Sequence, residues 1–105
     1  MTAPIYFNVP RVCQYLQAHR VVYTLRRERS TGVTKARVGS YFKYDVIGTV
    51  RVVFVARFTN LSPDSIRIYT PQSSFKTPEE WLDAAHQLKN GLNDVDCLYR
   101  VEMVD

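Results

Sequence analysis

The pattern of hydrophobic and polar positions is clearest in Val21–Arg29, where apolar and polar side chains alternate. Neighbouring side chains of a β-strand point to opposite faces, so this alternation predicts a strand with two different faces. The two faces are Val21, Tyr23 and Leu25 on one side and Val22, Thr24 and Arg26 on the other. We expect the first face to pack in the core. We expect the second face to look into a basic cleft, because further cations follow it.

Four other segments have the composition of strands. They are rich in β-branched and aromatic residues, which favour sheets. The segments are Ile5–Phe7, Tyr41–Tyr44, Thr49–Phe58 and Asp96–Val104. One face of Thr49–Phe58 (Val50, Val52, Phe54, Ala56 and Phe58) is apolar throughout, and the other is apolar mainly at its middle, which is typical of a curved sheet or a small barrel. Gly48 predicts a tight turn or a bulge before this strand, and Ser30–Thr34 predicts a loop.

Three segments carry signals for helices. Residues 9–18 repeat apolar side chains at helical spacing, with Asn8 as the expected cap and Pro10 in the first turn. Ser62-Pro63-Asp64 predicts a short helix that ends near Tyr69. Thr77 and Glu80 form a capping box before a longer helix, which Gly91 is expected to end, with Lys89 near its last carbonyls. The apolar stripe of that helix is Trp81, Ala85, Leu88 and Leu92.

The length of 105 residues and the apolar share of 46% predict one folded domain over residues 1–105. No apolar run approaches the roughly 20 residues that span a bilayer. The first residues lack the basic and apolar regions of a signal peptide, so we expect a cytoplasmic protein that does not contact membranes. Cys13 and Cys97 are expected to be two buried thiols, although a disulfide stays possible if the source is a hyperthermophile.

The charges are distributed unevenly along the chain. Residues 1–58 hold ten Lys and Arg against two acidic residues, whereas residues 59–105 hold four against eight. Such a split favours one molecular face that attracts a polyanion. The alternative is that the two halves interleave in space, which would cancel the asymmetry.

The densest basic segment lies between residues 20 and 43 and contains tyrosines. Its cations are Arg20, Arg26, Arg27, Arg29, Lys35, Arg37 and Lys43. Arginine and lysine bind phosphates, and an aromatic ring can stack on a base, so the segment predicts binding of RNA or a nucleotide. The alternative is a solvated charged surface with the tyrosines in the core. No phosphate-binding glycine loop, metal-ligand spacing or hydrolase triad is present, and we therefore expect no cofactor and no metal.

Together the segments resemble the ASCH domain, a small β-barrel related to the PUA RNA-binding domain. The likeness covers nearly the whole chain and rests on the order of three motifs. These are Tyr23-Thr24-Leu25-Arg26-Arg27, Lys35-Ala36-Arg37-Val38-Gly39-Ser40-Tyr41-Phe42, and Ile47-Gly48-Thr49-Val50-Arg51-Val52 followed by a helix such as that after Ser74. The resemblance implies an α+β fold, a PUA-like mixed or mainly antiparallel barrel of about five or six strands with flanking helices.

The resemblance also implies two functions. Most ASCH domains are thought to bind RNA or a nucleotide beside the Thr-x-Arg strand, which here places Thr24 in the cleft. Some bacterial members hydrolyse N4-acetylcytidine with a lysine, a threonine and a glutamate, and the threonine matches Thr24. In this chain Val21 stands where that lysine would be, and arginine, as at Arg20, is a poor proton shuttle. The candidates for the glutamate's role are Asp64, Glu79 and Glu80.

The preferred prediction is a domain that binds RNA or a nucleotide through Thr24 and the seven cations. The first alternative is a small amidohydrolase for acylated nucleosides such as N4-acetylcytidine, with Thr24 as the nucleophile or as a group that orients the ligand. The second alternative is a protein-interaction module that uses exposed aromatic residues and the acidic C-terminal half. A threonine on a strand is also a common β-former without any further role.

Overall fold

One five-stranded sheet and the helices that cover part of it form an α+β fold in a computed structural model, which describes residues 2–88 and 96–104. The strands are β1 (Ile5–Phe7), β2 (Val21–Arg26), β3 (Gly32–Gly39), β4 (Tyr44–Arg57) and β5 (Cys97–Met103). The helices are α1 (Pro10–His19), α2 (Pro63–Ile66) and α3 (Pro78–Leu88), with a 3-10 helix over Arg67–Gln72.

The strand order in the sheet is β1-β3-β4-β5-β2. β1 runs parallel to β3, and the other three pairs are antiparallel. The sheet curls into a half-barrel, with β1 and β2 as its two edges. The predicted α+β class and the mainly antiparallel, curved sheet are therefore confirmed.

Both faces of β2 are covered, which corrects the prediction of one core face and one cleft face. Val22 is fully buried in a first core with α1, β1, β4 and β5. Leu25 and Tyr23 pack on the opposite side against a second core around Ile66, Trp81 and Leu98. A curled sheet encloses its inner face, so alternation along one strand cannot separate a core face from an open one. Only the C-terminal end of β2 lines a cleft.

A hairpin turn lies where an aromatic strand was predicted. Tyr41, Phe42 and Lys43 form the turn, and β4 begins only at Tyr44. Ser40 and Lys43 exchange backbone hydrogen bonds across the turn, at 2.9 and 3.2 Å. Gly39 has a φ of 120°, and a Cβ there would collide with the carbonyl oxygen of Lys43. The predicted loop over Ser30–Thr34 is also shorter, because β3 already begins at Gly32.

Two bulges bend β4. Ala36 of β3 pairs with Gly48, but the next residue, Arg37, pairs with Val46, which leaves one extra residue next to the predicted bulge glycine. A second register shift separates Phe54 from Ala56 in the pairing with β5. The predicted apolar face of β4 is therefore interrupted, and Phe54 is half exposed while Val50 and Val52 are buried.

The helix signals are confirmed with one correction at α1. Thr77 Oγ1 accepts a hydrogen bond from the Glu80 N–H at 3.1 Å, which is one of the two bonds of the predicted capping box, while the Glu80 carboxylate pairs with Arg11. Val9, rather than Asn8, occupies the cap position of α1, and no side chain caps that helix. Lys89, Gly91 and Leu92, which carried the predicted end of α3, lie outside the described residues, as does the side chain of Leu88.

The predicted short helix after Ser62 is present as α2 and the 3-10 helix. Cys13 and Cys97 are free and buried, as the first alternative for them predicted. No helix in the described part of the chain is long and apolar enough to cross a membrane.

Candidate functional site

A cavity of about 210 Å³ lies at the seam between the two edge strands of the half-barrel. We call it the seam cavity. Residues of β1, β2, α1, α3 and the segments beside them form its wall. The lining residues are Tyr6, Phe7, Asn8, Val9, Val12, Thr24, Leu25, Arg26, Arg27, Arg29, Phe75, Trp81, Ala84 and Ala85. Four residues of the predicted site, Thr24 and three arginines, therefore share one cavity with four aromatic rings.

Arg26 crosses the seam from β2 to β1. Its guanidinium carbon lies 4.8 Å from the ring centroid of Phe7, and its Nε donates to Thr24 Oγ1 at 3.3 Å. Thr24 is buried, and Arg26 is partly buried. No carboxylate lies within ion-pair distance of Arg26 among residues 2–88 and 96–104. The cation of Arg26 is therefore held by a ring and a hydroxyl, which are weaker partners than an anion.

The surroundings of Arg26 disfavour its charge. Burial, followed by the positive charge of Arg29, lowers the pKa of Arg26 to about 9. Arg26 is still a cation at neutral pH, but one that has lost much of its hydration. A desolvated cation without a counter-charge is costly, and an anion that enters the cavity would reduce this cost.

Arg29 has a structural role beside Arg26. Its Nη2 and Nε donate to the backbone carbonyls of Ala3 at 2.6 Å and Ser30 at 2.9 Å. Its backbone N–H donates to the Tyr99 hydroxyl at 2.9 Å. Arg29 thus ties the segment before β1 to the segment after β2. Burial lowers the pKa of its guanidinium as well.

The lysine and glutamate that the hydrolase alternative would place beside Thr24 are absent from the described lining of the seam cavity. Its described lining contains no Asp, Glu, His or Lys. The three candidates for the glutamate's role lie elsewhere: Asp64 pairs with Arg67 at 2.8 Å, Glu80 pairs with Arg11, and Glu79 is exposed. The Thr24 hydroxyl instead accepts the hydrogen bond from Arg26 Nε, which makes it a partner of the cation.

The remaining predicted cations do not line the seam cavity. Arg20 ends α1 in a left-handed conformation, and six residues of strand, or about 20 Å, separate it from Arg26. Lys35 on β3 donates from Nζ to Thr49 Oγ1 at 2.7 Å. Lys43 lies in the hairpin turn. These residues were predicted to form one cluster because they are close in the sequence. The strands carry them to different parts of the molecule.

Arg37 connects to the seam cavity through Tyr6. Its Nη1 donates to the Tyr6 hydroxyl at 2.6 Å, and its guanidinium carbon lies 4.2 Å from the ring centroid of Tyr44. A regular strand over Tyr41–Tyr44 would place these two tyrosines on opposite faces, yet both contact the Tyr6 ring, with centroids 6.2 and 5.7 Å away. The turn at Tyr41 reverses the chain and brings both rings to the same side.

Several cations outside the segment from 20 to 43 are paired with carboxylates. The pairs are Arg11 with Glu80, Arg51 and Arg100 with Glu102, Arg57 with Asp96, and Arg67 with Asp64. Antiparallel pairing of β4 with β5 brings the acidic C-terminal half against the basic first half. The two halves therefore interleave in part, as the alternative predicted, and the charge split along the chain overstates the split in space.

The aromatic walls of the seam cavity were not among the predicted site residues. Trp81 and Phe75 come from α3 and the loop before it, and Tyr6 and Phe7 come from β1. The helical stripe assigned Trp81 to the core, and it is indeed buried. No local signal distinguishes a core aromatic residue that also lines a cavity from one that does not.

No group of three or more His, Cys, Asp or Glu residues is arranged to hold a metal ion in the described part of the chain. Comparisons with protein-family models, with curated proteins and with solved structures find no match to this chain.

Proposed function

We propose that the protein binds RNA or a nucleotide at the seam cavity, with a phosphate group or another anionic oxygen against Arg26. The observation that carries the proposal is the partly buried guanidinium of Arg26, which lines the cavity with no carboxylate partner in residues 2–88 and 96–104. Buried charges in folded proteins are generally paired. A ligand with a negative charge would offset the unfavourable free energy of holding this cation partly buried without an anionic partner.

The composition of the cavity wall favours a nucleotide over a simple inorganic anion. Arg26, Arg27 and Arg29 supply positive charge, and Tyr6, Phe7, Phe75 and Trp81 supply rings. Aromatic side chains stack on bases while cations contact phosphates. The volume of about 210 Å³ is below the roughly 300–1,000 Å³ of a cavity for a drug-sized molecule, so it suits one base or one phosphate group.

The resemblance to ASCH domains supports the same location. In that family the ligand cleft lies beside the Thr-x-Arg strand, and in this chain Thr24 and Arg26 line the seam cavity. We propose likewise that the half-barrel is PUA-like. We propose binding rather than hydrolysis, because the described lining holds no Asp, Glu, His or Lys that could activate Thr24.

Trp81 is the only tryptophan in the chain and lines the cavity, so its fluorescence is a direct reporter of occupancy. Titration with uridine monophosphate should change the emission of Trp81 in a saturable way. Arg26→Met should weaken this binding by roughly 10- to 100-fold, because a charge-assisted hydrogen bond contributes about 1.5–3 kcal/mol. Arg51→Met removes a cation that is paired with Glu102 on another surface and should leave the affinity unchanged.

RNA binding should also depend on salt. If a single strand contacts about four phosphates, the logarithm of the association constant should fall with the logarithm of salt concentration at a slope of roughly −3. The absence of association with nucleotides and with RNA at low salt would refute the proposal. Binding that does not respond to Arg26→Met would place the site elsewhere.

A further inference from the structure

A second surface adjoins the seam cavity through Tyr6. It consists of Tyr6, Arg37, Tyr41, Phe42 and Tyr44, and we call it the aromatic face. Arg37 lies between two rings, 4.2 Å from the centroid of Tyr44 and 5.5 Å from that of Tyr6. The Nε of Arg37 is buried and has no hydrogen-bond partner, so ring contacts and the Tyr6 hydroxyl hold its guanidinium.

The hairpin turn exposes two large rings at its tip. Tyr41 is 73% exposed and Phe42 is 92% exposed. Tight hairpin turns usually carry Gly, Asn or Asp, because these residues adopt positive φ angles. Neither Tyr41 nor Phe42 has a positive φ, so the backbone of the turn does not require a special residue at either position. The aromatic residues therefore serve neither the turn geometry nor the core.

The tip is held in place by its surroundings. The paired backbone hydrogen bonds between Ser40 and Lys43 close the turn, and the Tyr41 ring packs at 6.2 Å from Tyr6. Phe42 stands edge-on to Tyr41, with centroids 5.3 Å apart and planes at 84°. Ordered rings lose little conformational entropy when a ligand stacks on them, which favours binding.

We propose that the aromatic face is a stacking platform for unpaired bases of a single-stranded nucleic acid whose neighbouring phosphate or base occupies the seam cavity. This inference rests on the proposed function. Charge supports this occupant, because Arg37 lies between the rings of Tyr6 and Tyr44 and the exposed Lys43 stands between Phe42 and Tyr44 in the sequence, and a strand of nucleic acid likewise combines phosphates with bases. Tyr6 belongs to both surfaces, so one strand can pass from the cavity to the platform without leaving the protein.

An unpaired strand fits better than a duplex. Stacking on an exposed ring requires the face of a base, and the bases of a duplex already stack on one another. The model ligand is therefore a single-stranded oligouridylate of ten nucleotides, compared with uridine monophosphate and with a duplex of the same length.

The experiment measures two ligands on the same variants. Anisotropy of an end-labelled oligouridylate reports the whole strand, and Trp81 emission with uridine monophosphate reports the cavity alone. Phe42→Ala should weaken binding of the oligonucleotide by about 5- to 100-fold, because a stacked base contributes about 1–3 kcal/mol. It should leave the affinity for uridine monophosphate unchanged. Phe42 is almost fully exposed, and thermal unfolding of the variant checks that the fold is retained.

Ile68→Ala is the matched control. Ile68 is 79% exposed on the 3-10 helix and lines neither surface, so its truncation removes exposed apolar area without touching either site. It should change neither affinity. Equal losses for Phe42→Ala and Ile68→Ala would overturn the stacking platform.

The outcomes separate this inference from the proposed function. If uridine monophosphate binds and Phe42→Ala leaves oligonucleotide binding intact, the platform is wrong and the proposed function stands. If the affinity for the oligonucleotide falls in Phe42→Ala but not in Arg26→Met, the stacking platform is supported and the seam cavity is the wrong site for the proposed function. If the protein binds anionic lipid vesicles through Phe42 and does not bind the oligonucleotide, the aromatic face is a membrane-docking surface and the inference is overturned.

Discussion

Two groups of cations in this protein have opposite surroundings. On the surface of β4 and β5, Arg51 and Arg100 share Glu102, and all three side chains are partly exposed. At the seam, Arg26 contacts the ring of Phe7 and the hydroxyl of Thr24, and none of the described carboxylates pairs with it. The first group has a carboxylate partner within the fold, whereas Arg26 has none within ion-pair distance among the described residues. Local pairing, more than the number of arginines, indicates where a polyanion would bind.

The same comparison holds within the seam. Arg26 and Arg29 line one cavity and lose hydration together, but Arg29 donates to backbone carbonyls and Arg26 does not. Arg29 therefore has carbonyl acceptors within the fold, whereas Arg26 contacts a ring and a hydroxyl. We expect the two arginines to affect the stability of the fold in opposite directions.

The largest expected effect is the response of stability to Arg26→Met. Replacing an unpaired, desolvated cation by an apolar side chain of similar length should raise the free energy of unfolding by about 1–3 kcal/mol, since an apolar isostere needs no hydration. Chemical denaturation with urea at pH 7 measures this change. If the variant is more stable and no longer binds nucleotide, Arg26 differs from the paired arginines as proposed. A clear loss of stability would show that Arg26 stabilises the fold.

Arg29→Met should change stability in the opposite direction. The variant loses two short hydrogen bonds to the carbonyls of Ala3 and Ser30, and we expect the free energy of unfolding to fall by about 1–2 kcal/mol. The same urea experiment applies, and hydrogen exchange at β1 should become faster because its anchor is gone. Equal responses of Arg26→Met and Arg29→Met would remove the distinction between the two arginines.

A smaller effect should appear in the pH dependence of stability. The folded protein holds the pKa of Arg26 at about 9, below its usual value, so above pH 9 the unfolded chain binds the extra proton. Stability of the wild type relative to Arg26→Met should therefore rise with pH above 9, by up to roughly 1 kcal/mol per pH unit. Cys13, whose burial raises its pKa to about 11, acts in the opposite direction in both proteins and largely cancels in the difference. Parallel pH profiles would contradict this prediction.

The smallest effect is expected for Arg51→Met. Its pair with Glu102 is solvated, at 3.3 Å between Nη1 and Oε1, and Arg100 remains as a partner for the same carboxylate. Exposed pairs of this kind contribute about 0.2–1 kcal/mol, and we expect the lower end here. Raising the salt concentration should reduce even this difference. If Arg51→Met lowered the free energy of unfolding as much as Arg29→Met does, the exposed ion pairs would contribute more to stability than this comparison predicts.

Local signals predicted several elements of the fold and part of the site. Alternation located β2, and the capping box located the start of α3, because both depend on residues that are neighbours in sequence. The cluster of Thr24 with Arg26, Arg27 and Arg29 was also predictable, since all four lie on or directly after one strand. Gly48 indicated the first bulge of β4, but the hairpin tip at Tyr41 and the second bulge, between Phe54 and Ala56, were not predicted, because bends depend on the partner strand as well as on the bent one.

By itself, the sequence determined the strand that carries Thr24 and Arg26, the helices with the Thr77 cap of α3, and a basic segment with interspersed aromatic residues. Only the tertiary structure decided which cations stay without a counter-charge. The register of β4 with β5 neutralises Arg51, and the curl of the sheet brings Phe7 to Arg26. Both contacts join residues far apart in the chain, and their formation depends on the packing of the whole sheet. Local hydrophobic periodicity contains no information about such pairings.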